Sequence, residues 1–193
     1  MVLESDRKSV PYHNLISYHL AKKLEKHLVK PYVIILVREP VSRAVSEAYQ
    51  NSDLFSGVIE NDGGIDDKAM VRHLQSLLND SSEANKPDVW FNREVLDSFG
   101  LDIFDSGRHK KYTIYDRPKA RLLVLRMEDI NKEFTLAVRE FLNTEINIEL
   151  LLDNIGREKW YSESYVSLSR ALNEYESYSV FKETRYYKHF YGE

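Results

Sequence analysis

The chain has 193 residues, 42% hydrophobic and 30% charged, with a formal net charge of −4. That length buries one good core, so a single domain over 1–193 is expected, and the mild acidity gives no support to generic nucleic-acid binding. There is no apolar run of the roughly 18 residues that a membrane-spanning helix needs. The opening M-V-L-E-S-D-R-K-S-V lacks the apolar core of a secretory signal. Zero cysteines exclude disulfides and thiolate chemistry and fit a reducing, cytoplasmic compartment.

In chain order, Leu15 to Leu28 is predicted as a helix, because Ile16, Leu20, Leu24 and Leu28 recur four apart. Val33 to Val37 is a continuous, β-branched-rich apolar run, the pattern of a fully buried strand of a parallel sheet. Pro40 suits the first position of a helix, so the strand-to-helix turn falls at Arg38 and Glu39. Val41, Ala44, Val45 and Ala48 then form an apolar face able to pack on a sheet, with Ser42, Arg43 and Ser46 on the other side. Gly57 to Asp67 is a turn-rich acidic loop, Lys68 to Leu78 a helix, and N-D-S-S-E-A-N-K-P at 79–87 a breaker. Trp90 to Phe99 reads as a helix stopped by Gly100, and Lys111 to Tyr115 as a short strand or extended segment. Leu122 to Arg126 is the second clear strand, handing over to a helix with Ile130, Phe134, Ala137, Val138, Phe141 and Leu142 on one face. Glu149 to Asn154 is expected to be a helix closed by Gly156. Ser162 is expected to cap another, with Tyr165, Leu168, Leu172 and Tyr175 as its stripe. Strands alternating with helices argue α/β.

The segment V-I-I-L-V-R-E-P-V-S-R-A-V-S at 33–46 carries the clearest chemistry. A helix N-terminus presents free N–H groups and the positive end of its dipole, and two guanidinium groups, Arg38 and Arg43, lie beside it. All of them fall at the carboxyl end of a strand, where open α/β sheets bind ligands, so a phosphate fits there. The alternative is a pair of surface arginines that meet water, Glu39 or Glu47.

Arg38-x-Pro40-x-x-Arg43-x-x-Ser46 after an apolar strand resembles the 3′-phosphate-binding segment of sulfotransferases that use 3′-phosphoadenosine 5′-phosphosulfate (PAPS). There a strand-end Arg and a helical Ser, eight positions apart like Arg38 and Ser46, hold the 3′-phosphate. N-I-G-R-E-K-W-Y at 154–161, with Ser162 following, is similar to the signature of the bacterial NKWYS proteins, a capsular polysaccharide synthesis group related to sulfotransferases. Glu158 stands where the family name has Asn. W-F-N-R-E at 90–94, F-G-L-D-I-F at 99–104, L-L-V-L-R-M-E-D-I at 122–130 and Y-K-H-F-Y at 187–191 resemble the same group.

The resemblance implies an α/β, three-layer P-loop-like sulfotransferase fold, with a small parallel sheet flanked by helices. It also implies a sulfuryl transfer from PAPS to a carbohydrate hydroxyl, the partners being a nucleotide donor and a carbohydrate acceptor. Such proteins open with a strand, a Gly-rich phosphate loop and a helix. None of the seven glycines precedes Gly57, so that first βα unit is expected to be missing. The alternative is a non-catalytic binding or scaffold protein of polysaccharide assembly with the same fold.

Arg38, Arg43 and Ser46 would then grip the 3′-phosphate, and Lys159 would reach nucleotide phosphate with Trp160 or Tyr161 stacking on a ring. For these last residues the alternative is Trp160 filling a gap beneath the sheet and Lys159 in water. His13 is the candidate base, lying where related sulfotransferases place a His or an acidic residue near the acceptor; its alternative is a structural His. Glu128 and Asp129 follow a strand, where a carboxylate orients a site residue or, for Asp129, caps the next helix. The six histidines lack metal-ligand spacing, so no metal is expected.

Overall fold

The computed structural model describes residues 22–23, 26, 29–55, 57–60, 64–107, 109–151, 159–173 and 179–192. The predicted Leu15–Leu28 helix, apart from Lys22, Lys23 and Lys26, lies outside them, as does His13.

Three strands form the sheet among the described residues: β1 (Tyr32–Val37), β2 (Tyr112–Asp116) and β3 (Arg121–Arg126), in the order β1-β3-β2. β1 pairs parallel with β3, Val33 opposite Leu122 and Val37 opposite Arg126. β2 pairs antiparallel with β3, so the sheet is mixed and not the parallel sheet expected. The physical reason is the short link Arg117–Ala120, closed by Arg117 N–H to the Ala120 carbonyl at 2.9 Å. A link that short joins antiparallel neighbours, whereas a parallel pair needs a long crossover.

Seven helices are described here: α1 (Pro40–Gln50), α2 (Asp67–Leu78), α3 (Ser81–Phe91), α4 (Ile130–Leu142), α5 (Ser162–Asn173), α6 (Ser179–Lys182) and α7 (Arg185–Phe190). α3 runs on through a π-helical turn, Asn92–Leu96, into Asp97–Phe99, and stops at Gly100, whose φ of 69° is the left-handed conformation glycine adopts without strain. The expected breaker at 79–87 is therefore only a break at Asn79 and Asp80. Asp80 caps the new helix by accepting from Ser82 N–H, and Pro87 sits buried inside it. A single proline removes one ladder bond, and here its ring is part of the packing. At Glu149–Leu151 the backbone is irregular where a helix was expected to begin, and the rest of that segment lies outside the described residues.

Side chains from alternate positions split the core across the sheet. Ile35, Val37, Leu122 and Val124 pack with Phe91, Val95, Tyr186 and Phe190 on one face. Leu123 meets Ala137, Val138 and Phe141 of α4 on the other. β1 was expected to be fully buried, yet Tyr32, Ile34 and Leu36 are about half exposed, because α4 covers β3 and leaves the outer face of β1 uncovered by the described residues. α1 packs on helices and not on the sheet: Ala44, Val45, Ala48 and Tyr49 join Met70, Leu74, Leu168 and Phe181 in a separate helical core. That arrangement leaves the first turns of α1 beside the carboxyl end of β1.

Candidate functional site

At that end of β1 lies a cavity of about 510 Å³, lined by Arg38, Ser46 and Lys159. These residues come from three places: the end of β1, the second turn of α1 and the turn before α5. Ser42 and Gln50 extend the wall because 42, 46 and 50 are four apart on one helix face. Tyr161 and Tyr165 close it opposite, packed at 5.3 and 5.4 Å from the ring of Tyr49. Tyr49 is itself fixed by its hydroxyl on Ser164 at 2.8 Å, and burial pushes that hydroxyl's pKa up to about 12, so it stays neutral.

Arg38 donates from Nη2 to the Tyr165 hydroxyl at 3.2 Å. Among the described residues neither Arg38 nor Lys159 forms an ion pair, so no described carboxylate lies within ion-pair distance of either cation lining the cavity. Glu128 also lines the cavity, but both its oxygens are engaged: Oε1 accepts from Glu39 N–H at 2.8 Å and Oε2 from the Tyr191 hydroxyl at 3.0 Å. The main chain of Arg38 is held equally firmly. Its N–H donates to the Tyr186 hydroxyl at 3.0 Å, and that hydroxyl donates to the Arg38 carbonyl at 2.7 Å. Burial, ahead of any charge effect, raises the pKa of both Tyr186 and Tyr191, which keeps these hydroxyls as donors.

Two expectations need correction. The helix N-terminus does not offer free N–H groups, because the Glu39 side chain caps its own helix, accepting from Val41 N–H at 3.1 Å and Ser42 N–H at 2.7 Å. The next N–H, of Arg43, goes to the Glu39 carbonyl. With Pro40 lacking a donor, the first turn is fully satisfied within the chain. An anion here would rest on side chains and not on the helix dipole.

Asp129 does not cap α4 with its side chain but pairs with Arg126 at 3.1 Å. The carboxylate that orients the site loop is its neighbour Glu128.

Arg43 is turned away from Arg38. It binds Glu47 through Nη1 at 2.6 Å and lines a second cavity of about 270 Å³ with Ile35, Pro87 and Trp90. Trp160 is 60% exposed, so it does not fill a gap beneath the sheet. Ser42 and Gln50 could have been found from the four-residue spacing with Ser46. Tyr165 and Tyr186 carry no such signal, since they reach Arg38 from 127 and 148 residues away. The described residues contain no group of three or more His, Asp or Glu side chains able to hold a metal, and no helix among them is long and apolar enough to cross a membrane.

What the arrangement can do is bind an anion next to a ring: two cations, two serine hydroxyls and an amide on one side, two tyrosines on the other. Comparison with known proteins adds a family. Residues 62–192 match the NKWYS family, whose description is "putative capsular polysaccharide synthesis protein". The match takes in Lys159, Tyr165, Glu128 and Tyr186 and begins after Arg38 and Ser46. No curated protein and no solved structure matches the chain. With well over half of its residues matched, the chain belongs to the NKWYS family.

Proposed function

We propose that this chain binds the adenosine 3′,5′-bisphosphate part of PAPS in the Arg38 cavity and serves sulfuryl transfer to a carbohydrate hydroxyl in capsular polysaccharide synthesis. The observation that carries the reading is the convergence of Arg38, Ser46 and Lys159 on one cavity from segments more than 100 residues apart. Arg38 and Lys159 would bind phosphate oxygens, Ser42 and Ser46 would donate to them, and Tyr161 or Tyr165 would stack on the adenine. A P-loop-like sulfotransferase fold is part of the same proposal, supported by the parallel pairing of β1 with β3 and by α1 following β1. Chemistry would need sulfur–oxygen bond transfer from phosphate to the acceptor oxygen, with donor and acceptor held in line and the acceptor proton taken by a base, for which His13 stands as the candidate.

A second reading, a binding protein without catalysis, is favoured by one observation. Among the described residues the cavity holds no His, and its carboxylate, Glu128, is occupied on both oxygens. Calorimetric titration with adenosine 3′,5′-bisphosphate, with adenosine 5′-phosphate as control, tests what the two readings share. Binding that requires both the 3′-phosphate and Arg38, judged by Arg38→Ala, supports the site, and equal binding of the two nucleotides refutes it. Sulfate transfer from PAPS to a panel of glycans then separates enzyme from binding protein.

A further inference from the structure

The second cavity, lined by Arg43 and Trp90, has a different chemistry. Its floor is apolar, made by Ile35, Leu36 and Pro87, and Trp90 stands at its side with 40% of its surface exposed. Arg43 and Lys86 also line it, but their charges are already balanced. Arg43 pairs with Glu47 at 2.6 Å, and Lys86 pairs with Glu83 at 2.5 Å and lies 4.0 Å from Glu47. Two cations against two carboxylates leave this rim close to neutral, whereas Arg38 and Lys159 form no ion pair among the described residues.

An indole face, an apolar floor and a rim offering both donors and acceptors match one class of ligand. A sugar ring has an apolar face of C–H groups and hydroxyls that both donate and accept. At about 270 Å³ the cavity falls at the small end of ligand pockets, the size for one ring and not a chain.

We propose that this cavity is a saccharide subsite holding one neutral pyranose ring against Trp90, with Lys86 and its carboxylate partners binding the ring hydroxyls. The inference rests on the carbohydrate side of the proposed function and names where that ring sits. Tyr186 supports the placement, since its ring lines this cavity while its hydroxyl holds the main chain of Arg38, whose side chain lines the other. Tyr186 thus ties one cavity to the main chain of a residue that lines the other, a juxtaposition that suits an acceptor beside a donor.

The chain has two tryptophans, Trp90 lining this cavity and Trp160 between Lys159 and Tyr161 of the other, so each can be read alone. In Trp160→Phe, emission from Trp90 is followed during titration with methyl β-glucopyranoside, methyl β-galactopyranoside and glucuronate, each to about 100 mM, which covers weak specific binding. A saturating shift is expected with at least one neutral glycoside and no tighter binding of glucuronate. Lys86→Met should weaken it roughly tenfold, the loss of one charge-assisted hydrogen bond, and Lys86→Arg should restore it. Circular dichroism melting of each variant controls for folding, and equilibrium dialysis of labelled glycoside against the unmutated protein replaces any variant that fails to fold.

No shift with either neutral glycoside overturns the proposal, as does a tenfold preference for glucuronate. A Trp90 signal that moves with protein concentration and not with sugar also overturns it, assigning the face to a second copy of the chain. Trp160 emission in Trp90→Phe, titrated with adenosine 3′,5′-bisphosphate, reads the nucleotide site separately, so failure of one reading is distinguishable from failure of the other.

Discussion

Removing one oxygen atom should disable the Arg38 site without touching any residue that lines its cavity. Tyr186 is buried, and its hydroxyl both donates to the Arg38 carbonyl at 2.7 Å and accepts from the Arg38 N–H at 3.0 Å. Tyr186→Phe keeps the ring in its contacts with Phe91 and Phe190, at 5.9 and 5.0 Å, and leaves a backbone donor and acceptor without their partner. Both groups are partly buried, so the expected loss is about 1 to 3 kcal/mol of stability, which lowers the melting temperature of a chain this size by roughly 3 to 10 °C. Arg38 then loses its fixed exit from β1, and affinity for adenosine 3′,5′-bisphosphate should fall about tenfold, as one charge-assisted bond is no longer held in place. Tyr187→Phe is the matched control, since the Tyr187 hydroxyl bonds no described residue. Differential scanning calorimetry and isothermal titration give both quantities. A Tyr186→Phe protein that melts and binds like the Tyr187→Phe control would refute the reasoning.

Two other perturbations follow from the same geometry. His109 is buried beside His189 and Arg126, and burial above all holds its pKa down to about 4 from the usual 6.5. The unfolded chain therefore takes up this proton first as the pH falls, and stability should drop between pH 6.5 and about 4, by up to roughly 3 kcal/mol, with no further contribution below that. Urea midpoints measured across that range should fall steeply in the wild type and less so in His109→Phe. Glu39→Ala removes the carboxylate that caps α1 and should cost about 1 kcal/mol in chemical denaturation. The same change frees the N–H groups of Val41 and Ser42, so binding of inorganic phosphate should strengthen; weakened binding would show that Glu39 helps form the site rather than shielding it.

How much could be read beforehand divides along local and non-local lines. β1, the turn at Pro40, α1 and α4 were legible because an apolar run, a proline at the first helical position and a four-residue repeat are local signals. Arg38, Ser46 and Lys159 were singled out, and the structure brings them to one cavity. What the sequence hid was tertiary. Burial of β1 could not be inferred from its composition, since an apolar run looks the same with one face covered or two. The antiparallel β2 did have a local signal, the short D-R-P-K-A link at 116–120, which suits a hairpin. That Glu39 would take up the N–H groups of its own helix, and that Arg43 would turn to Glu47, are choices between partners at similar spacing. Spacing names the partners and geometry decides among them.

The short segments that made the family recognisable now have a shared physical role. Y-K-H-F-Y supplies Tyr191, which holds Glu128; L-L-V-L-R-M-E-D-I supplies Glu128, which holds Glu39; Tyr186 beside the first of these holds Arg38. Arg38 and Glu39 belong to no helix or strand, yet their amides are bonded to side chains 148 and 89 residues away. Amides of a turn ordinarily exchange quickly, by local opening. Here the Arg38 amide opens only when it parts from Tyr186, which α7 carries into the main core with Phe190, and the Glu39 amide only when it parts from Glu128, itself held by Tyr191 just after α7. Hydrogen exchange followed by NMR should therefore show Arg38 and Glu39 protected as strongly as the amides of α7, with Tyr186→Phe releasing Arg38 alone. Fast exchange at both positions in the wild type would mean that the loop is held by its neighbours in sequence, and that the distant tyrosines do not set the geometry of the site.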